Sequence, residues 1–153
     1  MKKTTVKAIP DGMNSLTAYL TCDGASAAIA FYKKAFNAVE ISRVAGKDGK
    51  IMNAMIRIGD SNLMIMDEFP EMKKLGPRSL KGSPVAIHLQ VEDVDAAVKQ
   101  AVAAGVTVHT PPTDMFWGDR WARLEDPFGH HWSVATRTRD VSPEEMREAA
   151  AKM

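Results

Sequence analysis

Apolar and polar positions along the chain run through one series of periods twice. Residues 16–29, LTAYLTCDGASAAI, match residues 85–98, VAIHLQVEDVDAAV, at an offset of 69. In each segment a short run with period-two alternation predicts a strand, an acidic residue follows (Asp23, Glu92), and a helical period begins. The first helix sets Ile29, Tyr32 and Phe36 on one stripe, and the second sets Val94, Val98, Ala101 and Val102 on another. The helices end at Asn37 and Gly105, residue types that readily take the left-handed conformation just past a helix. One deletion reduces the offset to 68 at those ends, so the match holds through a whole strand–helix unit.

The segments after each helix also correspond. The first is followed by AVEISRV, a turn at 46–49, IMNAMIRI, a turn at 59–62, and LMIM. The second is followed by VTVHT, a loop holding Pro111-Pro112, then DRWARLE, the turn Asp126-Pro127-Phe128-Gly129, and HHWSVAT. Both halves therefore read strand, helix, strand, strand, strand, with Gly and Asp where hairpins require them. The pseudo-repeats cover approximately 15–68 and 84–137. Residues 67–84 between them are polar and broken by Pro and Gly, as a linker is. Each half alone is a marginal fold of ~65 residues, so the two are expected to share one body, a single α+β domain over 1–153. A C-terminal helix is predicted over 142–153, with Ser142 as N-cap, Pro143 in the first turn and Glu145 completing a capping box. Met146, Ala149, Ala150 and Met153 give it an apolar face, directed at its own domain or at a second chain.

Composition narrows the class of partner. Lys and Arg total 20 against 19 Asp and Glu, which gives no concentrated basic charge for nucleic acid. The apolar and charged fractions, 45% and 25%, are those of an ordinary globular chain. A single cysteine, Cys22, cannot close an internal disulfide and fits a reducing compartment. Lys2 and Lys3 are reminiscent of a secretory leader, but Pro10-Asp11-Gly12 interrupts any apolar core behind them. No run approaches the ~20 apolar residues of a membrane span. A cytoplasmic location is expected.

A βαβββ unit used twice, with Asp126-Pro127-Phe128-Gly129-His130 before the last strand, resembles the vicinal oxygen chelate superfamily of glyoxalase, bleomycin-resistance and extradiol dioxygenase proteins. AIAFYKKAFNA (28–38), VEDVDAAVKQAVAAG (91–105) and MFWGDRWARLEDPFGHHWSVAT (115–136) carry the likeness and look most like its PhnB-like branch. The resemblance implies two modules forming an open, cup-shaped mixed-sheet barrel around a ligand, and it implies a homodimer. In the metalloenzymes of the group, an ion is held by side chains of the first and last strands of each module. Those positions here are Thr17 with Ile65 or Met66, and Ala86 with Ser133. Such residues cannot replace imidazole or carboxylate, so neither a metal at the usual place nor any cofactor is expected. The resemblance also implies a His where this chain has Asn53. A displaced set stays open: His88 and His131, with Asp67 or Glu68 as a third ligand.

Other chemistry has little support in the chain. There is no Gly-x-Ser-x-Gly elbow, no phosphate-cradling Gly-rich loop and no CxxC pair. Cys22 is expected to pack beneath the first helix rather than attack a substrate. His88 could act as a general base or simply line the cup. Binding residues are better represented. Phe116-Trp117-Gly118-Asp119-Arg120-Trp121 offers broad rigid rings and a charged donor, and Met52, Met55, Met64 and Met66 offer adaptable apolar surface. Thr17, Tyr19, Asn53, His88, Trp117, Arg120, Trp121, His131 and Ser133 form the candidate ligand-binding set. Three readings follow: a metal-free small-molecule binder, a metal-dependent lyase, isomerase or dioxygenase with displaced ligands, and a structural or partner-binding dimer.

Overall fold

The computed structural model of the chain describes residues 5–153; Lys2 and Lys3 lie outside the described residues. The first module contains β1 (Tyr19–Cys22), α1 (Ala25–Phe36), β2 (Val39–Ala45), β3 (Ile51–Ile58) and β4 (Ser61–Asp67). The second contains β5 (Ala86–Gln90), α3 (Val94–Ala104), β6 (Thr107–Asp114), β7 (Asp119–Glu125) and β8 (His131–Arg137), followed by α4 (Pro143–Ala150). Each module is a four-stranded sheet, ordered β1-β4-β3-β2 and β5-β8-β7-β6. In each sheet the first strand lies parallel to the last, while the other neighbours are antiparallel. The predicted α+β fold of two βαβββ modules is present. Among the described residues the two sheets do not pair, so the barrel is open.

The duplication extends to how each helix is started. The N–H of Ala25 is bonded by Asp67 Oδ1 (2.8 Å) and that of Val94 by Thr136 Oγ1 (2.8 Å). Both pairs are related by the same offset of 69. In each module, then, the last strand supplies an oxygen to an orphan amide in the first turn of the helix. Asp67 also accepts from Ile51 N at 2.7 Å, and Asp93 caps α3 through Ala96 N. Asn37 and Gly105 take the predicted left-handed conformation, φ 58° and 119°.

The modules are joined through one core. Helix α1 packs on α3, and its aromatic side reaches residues of the second sheet: Phe36 lies 4.4 Å from Trp132 between ring centroids, and Tyr32 lies 5.5 Å from it. Phe31 contacts Phe128 of the Asp126–Gly129 turn at 6.2 Å. Ile29, Tyr32 and Ala101 are buried, as the helical stripes predict, and Cys22 and Trp132 are buried with them. Rings supplied by one module to the other make neither half self-sufficient.

The structure changes five details. Val102 is exposed, because α3 turns only Val94, Val98 and Ala101 into the core. Pro111 and Pro112 lie inside β6 rather than in a loop. They are tolerated because β6 is an edge strand whose register breaks between Val108 and Thr110 and again before Thr113. The 67–84 linker contains a 3-10 turn (Pro70–Met72) and the short helix α2 (Pro77–Leu80). Thr17 precedes β1 instead of lying in it. No residue of α4 is buried; Met146 and Ala149 are half-covered, and Ala150 and Met153 are exposed. Its predicted cap is present, with Ser142 Oγ accepting from Glu145 N at 3.1 Å. Among the described residues no helix is long and apolar enough to cross a membrane.

Candidate functional site

Strand alternation gives each sheet a face covered by helices and a face left open. On the second sheet, Trp121, Arg123 and Glu125 of β7 share the open face with His131 and Ser133 of β8, since Trp121 Nε1 donates to Ser133 Oγ at 2.7 Å and Glu125 pairs with His131. His88 of β5 faces Ser133 in the parallel register and completes the arrangement. Its Nδ1 lies 2.9 Å from Ser133 Oγ and its Nε2 lies 2.9 Å from Gln90 Oε1. Indole N–H can only donate. Trp121 N–H donates to Ser133, and the directions of the Ser133–His88 and His88–Gln90 bonds follow the His88 tautomer. The four side chains form one continuous hydrogen-bonded chain that ends at the Gln90 amide. Trp117 stands edge-on to Trp121 at 5.9 Å, and Phe116 edge-on to Trp117 at 5.1 Å, giving an aromatic wall beside the chain.

The corresponding face of the first sheet is simpler. Asn53 Nδ2 donates to Tyr19 Oη at 2.8 Å, and the tyrosine hydroxyl donates to Met52 O at 3.2 Å. Tyr19 stands opposite Met64, with Met55 and Met66 beside it in the register. Tyr19 is also the offset partner of His88. A cavity of about 360 Å³ opens between the edges of β1 and β5, lined by Tyr19, Thr21, Leu75, Leu80, Val85 and Ile87 among others.

The predicted residues thus fall into groups. His88, Ser133, Trp121 and Trp117 come together, as do Tyr19 and Asn53. Arg120 is elsewhere: it neighbours Trp121 and so points to the helix side, where Asp95 of α3 holds it through two bonds of 2.8 and 3.0 Å. That pairing lowers the Asp95 carboxyl below its usual range and raises Arg120 further. Thr17 is half-buried ahead of β1. His131 belongs with Glu125 and His109, at 3.5 Å between its Nε2 and Glu125 Oε1, and not with His88. Asp67 and Glu68 are not free to act as ligands to it. Asp67 caps α1, while Glu68 Oε1 accepts from Gly76 N (2.9 Å) and Ser79 Oγ (2.6 Å).

His109, Glu125 and Gln90 gain their place only from strand register, which brings β6, β7 and β8 side by side. A histidine in VTVHT and a glutamate closing DRWARLE were the available signal. Cys22 is fully buried, and burial pushes its thiol well above the ordinary value, so it remains protonated and unreactive.

The positions that hold an ion in metalloenzymes of the resembled group do not fit one here. Ile65 is buried in the core, Ala86 has no donor, and the Ser133 oxygen is already committed between Trp121 and His88.

A sequence profile described as the Glyoxalase/Bleomycin resistance protein/Dioxygenase superfamily matches residues 12–134. The chain belongs to that superfamily. An uncharacterized protein of Mycobacterium bovis is 47% identical over 138 residues, 88% of this chain and 91% of that protein. Among solved structures, the PhnB protein of Bacillus cereus superposes with a TM-score of 0.64 at 15% identity, covering 80% of this chain and 99% of its own. The fosfomycin resistance protein FosX of Listeria monocytogenes does so at 0.63 and 19%, covering 87% and 98%. At such identities these two likenesses are of fold alone. The superfamily match takes in both open faces, ending inside β8 just past Ser133.

Proposed function

We propose that this superfamily member is a small-molecule-binding protein whose ligand lies on the open face of the second sheet, in a cup that a second copy of the chain completes. The carrying observation is the Trp121–Ser133–His88–Gln90 chain, which engages the Ser133 oxygen at the usual metal-ligand position in hydrogen bonds. On this reading the arrangement serves to orient a ligand. Trp117 and Trp121 supply rigid contact area, and the Gln90 amide hydrogens donate to a carbonyl or ether oxygen. A planar, apolar-bodied compound with an acceptor group at one edge matches that surface. The open face of the first sheet, with exposed Tyr19, Val39 and Val44 and the half-buried methionines, supplies the opposite wall from a second chain.

Tryptophan fluorescence tests the reading. Titration with a panel of planar aromatic antibiotics is expected to give saturable quenching for at least one compound, unaffected by chelator. Trp121→Ala is expected to weaken it by ~10-fold or more, the cost of removing a central aromatic anchor. Absence of saturable quenching across the panel, or quenching abolished by chelator, overturns the proposal.

A further inference from the structure

The second sheet carries another constellation on the same open face, at the end of β8 away from Ala135. His109 of β6, Glu125 of β7 and His131 of β8 point their ligand atoms at one another from three adjacent strands, all within 4.8 Å. His109 Nε2 lies 3.3 Å from Glu125 Oε1, and His131 Nε2 lies 3.5 Å from the same oxygen. Two ligands bound tetrahedrally to one zinc ion at ~2.0–2.1 Å stand ~3.4 Å apart, so both separations are already those of a tetrahedral edge. From these positions we infer a divalent transition-metal site at His109, Glu125 and His131, distinct from the positions the superfamily's metalloenzymes use and from the Trp121–His88 chain.

Three features support it. The donor set, two imidazoles and one carboxylate, is one that zinc and its first-row neighbours accept. The two imidazoles converge on one carboxylate oxygen: His109 Nε2 bonds Glu125 Oε1 at 3.3 Å, while His131 Nε2 stops 3.5 Å from the same atom without a hydrogen bond to it. An ion between the three gives that Nε2 lone pair an acceptor. The side chains are also graded in exposure, 41% for His109, 37% for Glu125 and 17% for His131, so the ion has an entry path from solvent and a partly covered floor. Three protein ligands leave a fourth position to be filled by water, so the site is not a closed four-ligand structural one.

The test is zinc titration of protein purified without a histidine tag and stripped with chelator, read by calorimetry and by metal content after dialysis. Wild type and His88→Ala are expected to bind one zinc per chain. His109→Ala and Glu125→Gln are expected to weaken binding by at least the ~10–100-fold that follows loss of an outer-shell partner. His109 lies on an exposed edge strand, so its variant is expected to retain the wild-type near-UV spectrum even if Glu125→Gln does not fold. Zinc binding that is substoichiometric in wild type, equal in His109→Ala, or lost in His88→Ala overturns the inference. Trp121→Ala is expected to weaken quenching by the planar ligand ~10-fold or more and to leave zinc uptake unchanged, so the two proposals fail separately.

Discussion

Asp126 is the residue on which the two modules turn. Its Oδ1 accepts from the amides of Phe128 (2.9 Å) and His130 (3.0 Å), closing its own turn. Its Oδ2 accepts from Trp132 Nε1 (2.9 Å) and from the hydroxyl of Tyr32, which lies on α1 of the other module. All four donors are buried with it. Asp126→Asn replaces one accepting oxygen with a donor and leaves at least one of them unanswered. A loss of roughly 2–5 kcal/mol is expected, read as a lower urea midpoint at unchanged slope. The Asp-Pro-Phe-Gly turn was legible in the sequence. That its carboxylate bonds a tyrosine 94 residues away was not, because no local pattern encodes a partner brought in by helix packing. The same contact sets a pH dependence. Burial, with Asp126 nearby, raises both the Cys22 thiol above its ordinary 9.0 and the Tyr32 phenol above its ordinary 10.0. Both stay protonated when folded, so their contribution is complete below those ordinary values and is lost as pH rises past them, where only the unfolded chain ionises. The melting temperature is therefore expected to fall as pH rises above 9.0, and Cys22→Ala is expected to delay the onset toward 10.0, where Tyr32 alone remains.

At the scale of elements, periodicity located the strands and helices well, and it failed where an element is decided by its neighbours. Pro111-Pro112 reads as a loop because proline cannot donate to a ladder, yet β6 carries both at the sheet edge, where the missing donors meet no partner strand. Helix α4 is the opposite case. Its Ser142–Pro143–Glu145 start was legible and is present, but its apolar stripe is only partly covered, with Met146 and Ala149 half-covered and Ala150 and Met153 exposed. An eight-residue helix with no buried side chain is marginal in water and depends on its cap. Ser142→Ala is expected to remove ~1 kcal/mol from that helix alone. Amide exchange over 143–150 should speed by about fivefold, while the global melting temperature stays unchanged because no α4 side chain is buried. A drop in the global transition would show that α4 is part of the main cooperative unit.

At the scale of the molecule, the repeat made the fold legible and left the site half-readable. An offset of 69 relates Ala25 to Val94, Asp67 to Thr136, and Tyr19 to His88. Because it also fixes which face each strand leaves open, His88 and Ser133 could both be assigned to the binding set from sequence, although the partner expected for His88 was His131. Strand alternation puts Arg120, next to Trp121, on the other side, where Asp95 of α3 holds it, so including it among the binding residues ran against the period-two pattern. What the chain does not supply is a second wall. Its sheets stay separate and its helices lie together, so each open face looks outward. Val44, paired with Asn53 on the open face of the first sheet, is 56% exposed in the single chain. A solitary chain gains nothing from a β-branched apolar side chain in water, whereas a cup closed by a second copy buries it. Sedimentation at micromolar concentration is therefore expected to give the mass of two chains. Val44→Asp is expected to shift that equilibrium by ~100-fold or more toward single chains, since an unpaired carboxylate would have to be buried on association. Its far-UV spectrum should match that of wild type, because the substitution touches no core contact. If the planar ligand lies between two copies, the same variant loses quenching at concentrations where wild type is saturated. Quenching that survives in dissociated Val44→Asp chains would place the ligand on one sheet alone and remove the second copy from the site.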